Sequence, residues 1–158
     1  MSTRTIEACV PIRMSAALTH ESLRRVIAAL QERSPVLAVK LHDLHIADEG
    51  EVQVPIVLES ALHPERGVLT ITIRAKANDT LFPTFSGDFS VVSEGRECEL
   101  WLNGTYEPPF GRIGAVLDRN LLHYAAQRSL QAFLHRVSDE IDDDARMHYG
   151  RRNLYPTP

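Results

Sequence analysis

Between Thr3 and Met14 the chain sets Ile6, Ala8, Val10, Ile12 and Met14 on one parity and Thr5, Glu7 and Arg13 on the other, the two-residue period of a half-buried strand. Pro11 offers no N–H to a ladder, which puts this strand at an edge or at a bulge. Over residues 15–33 the period lengthens. Leu23, Val26, Ile27 and Leu30 recur at helical spacing, Ser15 or Thr19 can cap the start, and Ser34-Pro35 ends the run.

Strand chemistry returns from Val36 to Tyr106. Leu37, Val39 and Leu41 alternate, then Leu44 and Ile46 carry the apolar residues on the opposite parity, the slip a β-bulge near His42-Asp43 would produce. After an Asp48-Glu49-Gly50 turn, Val52, Val54, Ile56 and Leu58 alternate with polar partners, and residues 60–66 read as a loop carrying His63-Pro64. Leu69, Ile71, Ile73 and Ala75 mark the next strand, and Phe85, Gly87, Phe89 and Val91 the one after. A tight Glu94-Gly95-Arg96 connection leads into Cys98, Leu100, Leu102, Gly104 and Tyr106. About six strands result, five of them consecutive and joined by short links. That pattern predicts an antiparallel meander with one solvated and one covered face.

The cover is predicted over residues 112–141, where Ile113, Val116, Leu117, Leu121, Tyr124, Ala125, Leu130, Phe133, Leu134, Val137 and Ile141 form a broad apolar stripe. Thirty helical residues span about 45 Å, longer than one strand of the sheet. The fold class is therefore α+β, a curved antiparallel sheet wrapped around a long C-terminal helix. Residues 1–141 make the domain, and 142–158 a partly ordered or peripheral tail.

Composition narrows the function without naming it. The chain has 158 residues, 44% hydrophobic and 24% charged, with a net charge of −4, so it lacks the basic footprint of a nucleic-acid binder. No apolar run approaches the ~20 residues of a membrane span. The N-terminus lacks a signal peptide's apolar block, and Cys9 and Cys98 read as reduced thiols, so a cytoplasmic soluble protein is expected.

The order strand, helix, meander, long terminal helix resembles the helix-grip fold of the START-like superfamily, which includes pollen-allergen-type proteins and polyketide cyclases. The local match is sharpest at Leu102-x-Gly104-x-Tyr106-x-Pro108-Pro109-x-Gly111-x-x-Gly114, followed by Asp118-Arg119, which looks like the junction of last strand and last helix in bacterial members. The single helix at 15–33 departs from the pair of short helices in many members, and the 60–66 loop is more elaborate than a hairpin. The resemblance implies a cavity between sheet and terminal helix that holds lipids, polyketides, steroids or similar ligands. It implies no reaction, because function sits in sites and not in folds.

The inward rows carry almost only aliphatic and aromatic side chains. Candidate ligand contacts are Ile71, Ile73, Phe85, Phe89, Leu100, Leu102, Tyr106, Leu117, Leu121 and Tyr124. Tyr106 and Tyr124 join apolar bodies to polar tips that can orient a ligand oxygen or satisfy the backbone. Gly87 and Gly104 either open room for a ligand or permit close packing. Cys98 reads as a small inner-face hydrophobe. A titratable group facing the cavity at His42, Asp43 or Asp88 would point to an enzyme of cyclase or dehydratase type. Trp101, on the outer face beside Glu99 and Asn103, offers a contact surface for a homodimer or packs within the chain. The seven histidines are scattered, so neither metal nor cofactor is expected. Three readings remain: a binder of a hydrophobic small molecule, a cyclase-like enzyme, and a ligand-free module dimerising through the outer sheet face.

Overall fold

The computed structural model describes residues 3–77, 83–107 and 119–150. Strand β1 (Arg4–Ile12) leads to helix α1 (Ala16–Glu32), and β2 (Val36–Lys40) is followed by a 3₁₀ turn at His42–Leu44. Strands β3 (Glu51–His63), β4 (Val68–Ala75), β5 (Thr84–Glu94) and β6 (Glu97–Glu107) precede the terminal helix α2 (Arg119–Tyr149). The six strands form one antiparallel, curled sheet in the order β1-β6-β5-β4-β3-β2. β1 is thus the edge strand that Pro11 predicts, with Pro11 opposite Glu99. The α+β arrangement read from the hydrophobic pattern, a curved antiparallel sheet around a long C-terminal helix, is the one observed.

Each strand forms because its apolar parity has somewhere to go. Val10, Ile71, Leu100 and Leu102 are essentially inaccessible beneath α1 and α2, against Leu30, Leu134 and Val137. Ser15 caps α1 by accepting from the Leu18 N–H at 3.4 Å. Gly95 takes φ +64° in the two-residue turn between β5 and β6, where Glu94 pairs with Glu97.

Three elements differ from expectation. Residues 41–46 form no bulged strand. The chain leaves β2 at Lys40, winds through His42–Leu44, and His45 takes the left-handed region at φ 54°. The change of apolar parity is common to a bulge and a helical turn, so it could not tell them apart. Residues 60–63 are strand, paired with Val68–Ile71, and only Pro64–Gly67 turn. Ser60, Ala61 and Leu62 are exposed, so no buried face imposes alternation there. Finally, α2 does not fray after Ile141. It runs through Tyr149, inside the expected tail, with Ala145 fully buried. Residues 112–118 of the predicted helix, the Pro108–Asp118 part of the junction motif, and 151–158 of the tail lie outside the described residues.

The extension of α2 is held by a charged clamp onto α1. Arg25 reaches Asp144 through both carboxylate oxygens, Nη2–Oδ2 at 2.9 Å and Nε–Oδ1 at 3.2 Å, and Nη2 also donates to the Tyr149 hydroxyl at 3.0 Å. Burial alone would push the Asp144 carboxyl up. Hydrogen bonds from Arg25 and Ser22, with the Arg25 charge, outweigh it and hold the group below its ordinary range.

Gly87 and Gly104 face each other across β5 and β6. A Cβ on Gly104 would run into the Ser86 carbonyl oxygen and stand 2.6 Å from the Gly87 Cα. The Phe85 ring lies over both, its Cζ 2.6 Å and 2.8 Å from where the two Cβ atoms would be. The pair therefore lets an aromatic ring seat on the backbone, and opens no room for a ligand.

Gly104→Ala is accordingly expected to cost about 2–3 kcal/mol of stability in urea denaturation, and an unchanged midpoint would refute the close packing. For the clamp, Asp144→Asn should cost about 1–2 kcal/mol at neutral pH, discounted for the partly exposed Arg25. Because the folded carboxyl titrates below the unfolded one, its contribution is complete above the unfolded value of about 3.9 and is lost as pH falls through the depressed folded value. Denaturation of both proteins across that window should show the gap narrowing with acid; a gap independent of pH would disprove the clamp's charge.

Candidate ligand cavity

The sheet's inner face is not filled evenly. Toward its C-terminal half, α2 presents Phe133, Leu134, Val137 and Ile141, all at or below 4% exposure. One to two turns earlier the same helix presents the small residues Ala125, Ala126 and Ser129, flanked by Leu122 and Leu130, toward β2, β3 and β4. Small side chains cannot span the separation the large ones set, and a cavity of about 310 Å³ remains.

Its sheet wall is built by Leu37 and Val39 of β2, Val54 and Ile56 of β3, and Ile73 of β4. Leu41, Leu44 and Ile46 close one end from the 3₁₀ turn, while Phe85, Tyr106 and Ile6 form the other. Ile46 and Val52 are 59% and 44% exposed at the rim. Of the twenty described residues lining the space, only Arg74, Tyr106 and Ser129 bear polar side-chain atoms. This wall binds apolar matter and offers few hydrogen bonds.

Tyr106 is 3% exposed, and its hydroxyl lies 2.9 Å from His123 Nδ1, with the two rings stacked at 5.8 Å and 21°. Burial pushes the phenol up, while the charge of Arg4 and a hydrogen bond from it act in the opposite direction. A guanidinium only donates, so the phenol oxygen accepts from Arg4, while the donor across the Tyr106–His123 contact follows the imidazole tautomer.

Of the sequence candidates, Ile73, Phe85 and Tyr106 line the cavity. Ile71, Phe89, Leu100 and Leu102 share the inner face but are buried elsewhere along it, at 2% exposure or less. Leu117 lies outside the described residues. Leu121 and Tyr124 border a shallow surface depression with His45 and Asn120, and Tyr124 is 50% exposed beneath the Arg128 guanidinium. Helical phase explains the last result. Eighteen residues make five turns at 3.6 per turn, so buried Ile141 lines up with His123, and Tyr124 sits about 100° away. That phase relation was the signal for His123. The small residues Ala125, Ala126 and Ser129 were the signal for the gap.

The titratable groups that would point to an enzyme do not line the cavity. Asp88 is on the outer face, accepting from Thr70 Oγ1 at 2.6 Å. Asp43 is buried on the 3₁₀ turn, 3.8 Å from both Arg128 Nε and His42 Nδ1. Cys98 contacts Thr19 Oγ1 at 3.2 Å, and burial pushes its thiol up, away from a thiolate nucleophile. Trp101 is half-buried and donates from Nε1 to Glu99 at 2.9 Å. Among the described residues no three of His, Cys, Asp and Glu converge as a metal would need, and no helix is long and apolar enough to cross a membrane.

No protein-family model matches the chain, and no curated protein matches it. Solved structures do. An aromatase/cyclase from Streptomyces sp. R1128 superposes with TM-score 0.58 at 17% identity, over 95% of this chain and 99% of that one. Norcoclaurine synthase from Thalictrum flavum, in complex with dopamine and hydroxybenzaldehyde, gives 0.53 at 12% identity, over 93% and 88%. A START superfamily protein from Mycobacterium smegmatis gives 0.52 at 11%, over 88% and 97%. At these identities the likeness concerns architecture, and it agrees with the strand order, the curled sheet and the terminal helix: this chain has the START-like helix-grip fold.

Proposed function

We propose that the protein binds a hydrophobic small molecule in the cavity between the β2–β4 wall and the N-terminal half of α2. The carrying observation is a 310 Å³ space whose wall is aliphatic at nearly every position. Burial of apolar ligand surface there contributes roughly 25 cal/mol per Å². At the packing density of protein interiors, 0.74, about 230 Å³ of ligand fits. A compact ring system is accommodated within this space. That structures of similar fold include an aromatase/cyclase and a synthase complexed with two small aromatic molecules supports the same class of ligand. The free thiols Cys9 and Cys98 are in keeping with a reducing, cytoplasmic setting.

The Tyr106–His123 pair supports a second reading, a cyclase- or dehydratase-like enzyme. It is the one phenol–imidazole hydrogen bond touching the cavity among the described residues, and it could pass a proton to a bound carbonyl compound.

Filling the cavity separates binding from stability. Ala126→Phe places a ring in the space and should reduce uptake of a fluorescent naphthalene probe at least tenfold, with the thermal midpoint unchanged or raised. Equal probe binding by this variant and the parent protein would exclude the cavity as the site.

A further inference from the structure

Four polar side chains of the described residues are buried: Thr19, Ser22, Asp43 and Ser129. Three have partners. Thr19 bonds the Ser15 carbonyl oxygen, Ser22 meets Arg25, and Asp43 lies by Arg128 and His42. Ser129 is 7% exposed and lines the cavity, and its hydroxyl has no hydrogen bond to any described residue. No enclosed side-chain oxygen is left unsatisfied among the described residues, so this hydroxyl keeps some accessible surface, on a residue that lines the cavity. A buried hydroxyl without a partner is unfavourable, and a ligand oxygen can supply the missing bond.

Tyr106 is less available for that role. Its hydroxyl is already engaged with His123 and with Arg4. The charge of the wall is equally restrictive. Arg74 is the only lining cation among the described residues, and its Nη2 is 3.2 Å from Glu59 Oε1. An anionic ligand would lose its hydration with no free counter-charge among the described lining residues.

We propose that the cavity takes an uncharged ring compound carrying a hydroxyl or carbonyl oxygen, and that Ser129 is the residue that selects for this oxygen. The proposal rests on the cavity being the ligand site. Ser129→Ala removes one oxygen and keeps a good helix former, so the variant is expected to fold.

Calorimetric titration of the full chain with 1-naphthol, 1-methylnaphthalene and 1-naphthoate tests it. The parent protein should bind 1-naphthol about three- to tenfold more tightly than 1-methylnaphthalene, the range of a net hydrogen bond, and 1-naphthoate least. Ser129→Ala should erase that preference and keep its affinity for 1-methylnaphthalene within about twofold. Ser129→Thr, which retains the hydroxyl, should restore the preference. A naphthol preference that survives in Ser129→Ala, or naphthoate bound as well as naphthol, overturns the assignment while leaving the cavity reading standing. If the parent protein binds none of the three, the cavity reading fails with it.

Discussion

The inner face of a one-sided sheet has to be covered, and in this chain the cover over β1 and β2 is a single helix whose side chains change size along its length. Where α2 carries Phe133, Leu134, Val137 and Ile141, sheet and helix interlock with α1 into a close-packed core. That contact sets the distance between helix and sheet for the whole length of α2, because a helix is a rigid rod on this scale. The preceding turns inherit the distance but carry Ala125, Ala126 and Ser129, so the same packing that fixes the fold produces the cavity. The Arg25–Asp144 clamp works in the same direction, tying the far end of α2 to α1.

How much of this could be read in the letters depended on whether burial imposed a period. The strands at 4–12, 68–75 and 97–107 bury one parity along their length, and each was legible. Residues 60–63 extend past the covered face, so pairing with β4 continues without a pattern to announce it. The cavity was legible only in part. Ile73, Phe85 and Tyr106, three of the expected contacts, line the cavity because they lie on the inward parity of their strands. The β2 wall and the Leu41–Ile46 end escaped because a helical turn and a bulge give the same parity slip. His123 and Tyr124 are neighbours in sequence, and only the helical phase carried back from Ile141 shows which of them meets the sheet. A stripe of apolar letters is broad enough to hide a 100° error. Sequence also could not show that the Gly87–Gly104 pair is occupied by the Phe85 ring, because that ring comes from two residues away on the same strand.

The cavity itself has an energetic meaning. As a closed void, 310 Å³ would cost up to about 7 kcal/mol at ~24 cal/mol per Å³, comparable to the entire stability of an ordinary domain, about 5–15 kcal/mol. Two features make the space tolerable. Its rim reaches solvent at Ile46 and Val52, so it is an open recess and not a sealed hole. The remaining core is well filled, with Ile71, Leu100, Leu134 and Ala145 at 0% exposure. Water gains little by entering an aliphatic recess that offers so few hydrogen-bonding groups. An apolar molecule of the right size gains on both counts: it removes its own surface from water and restores the dispersion contacts that the lining residues lack. The small residues of α2 thus withhold packing from the empty protein, and on the proposed function a ligand would return it.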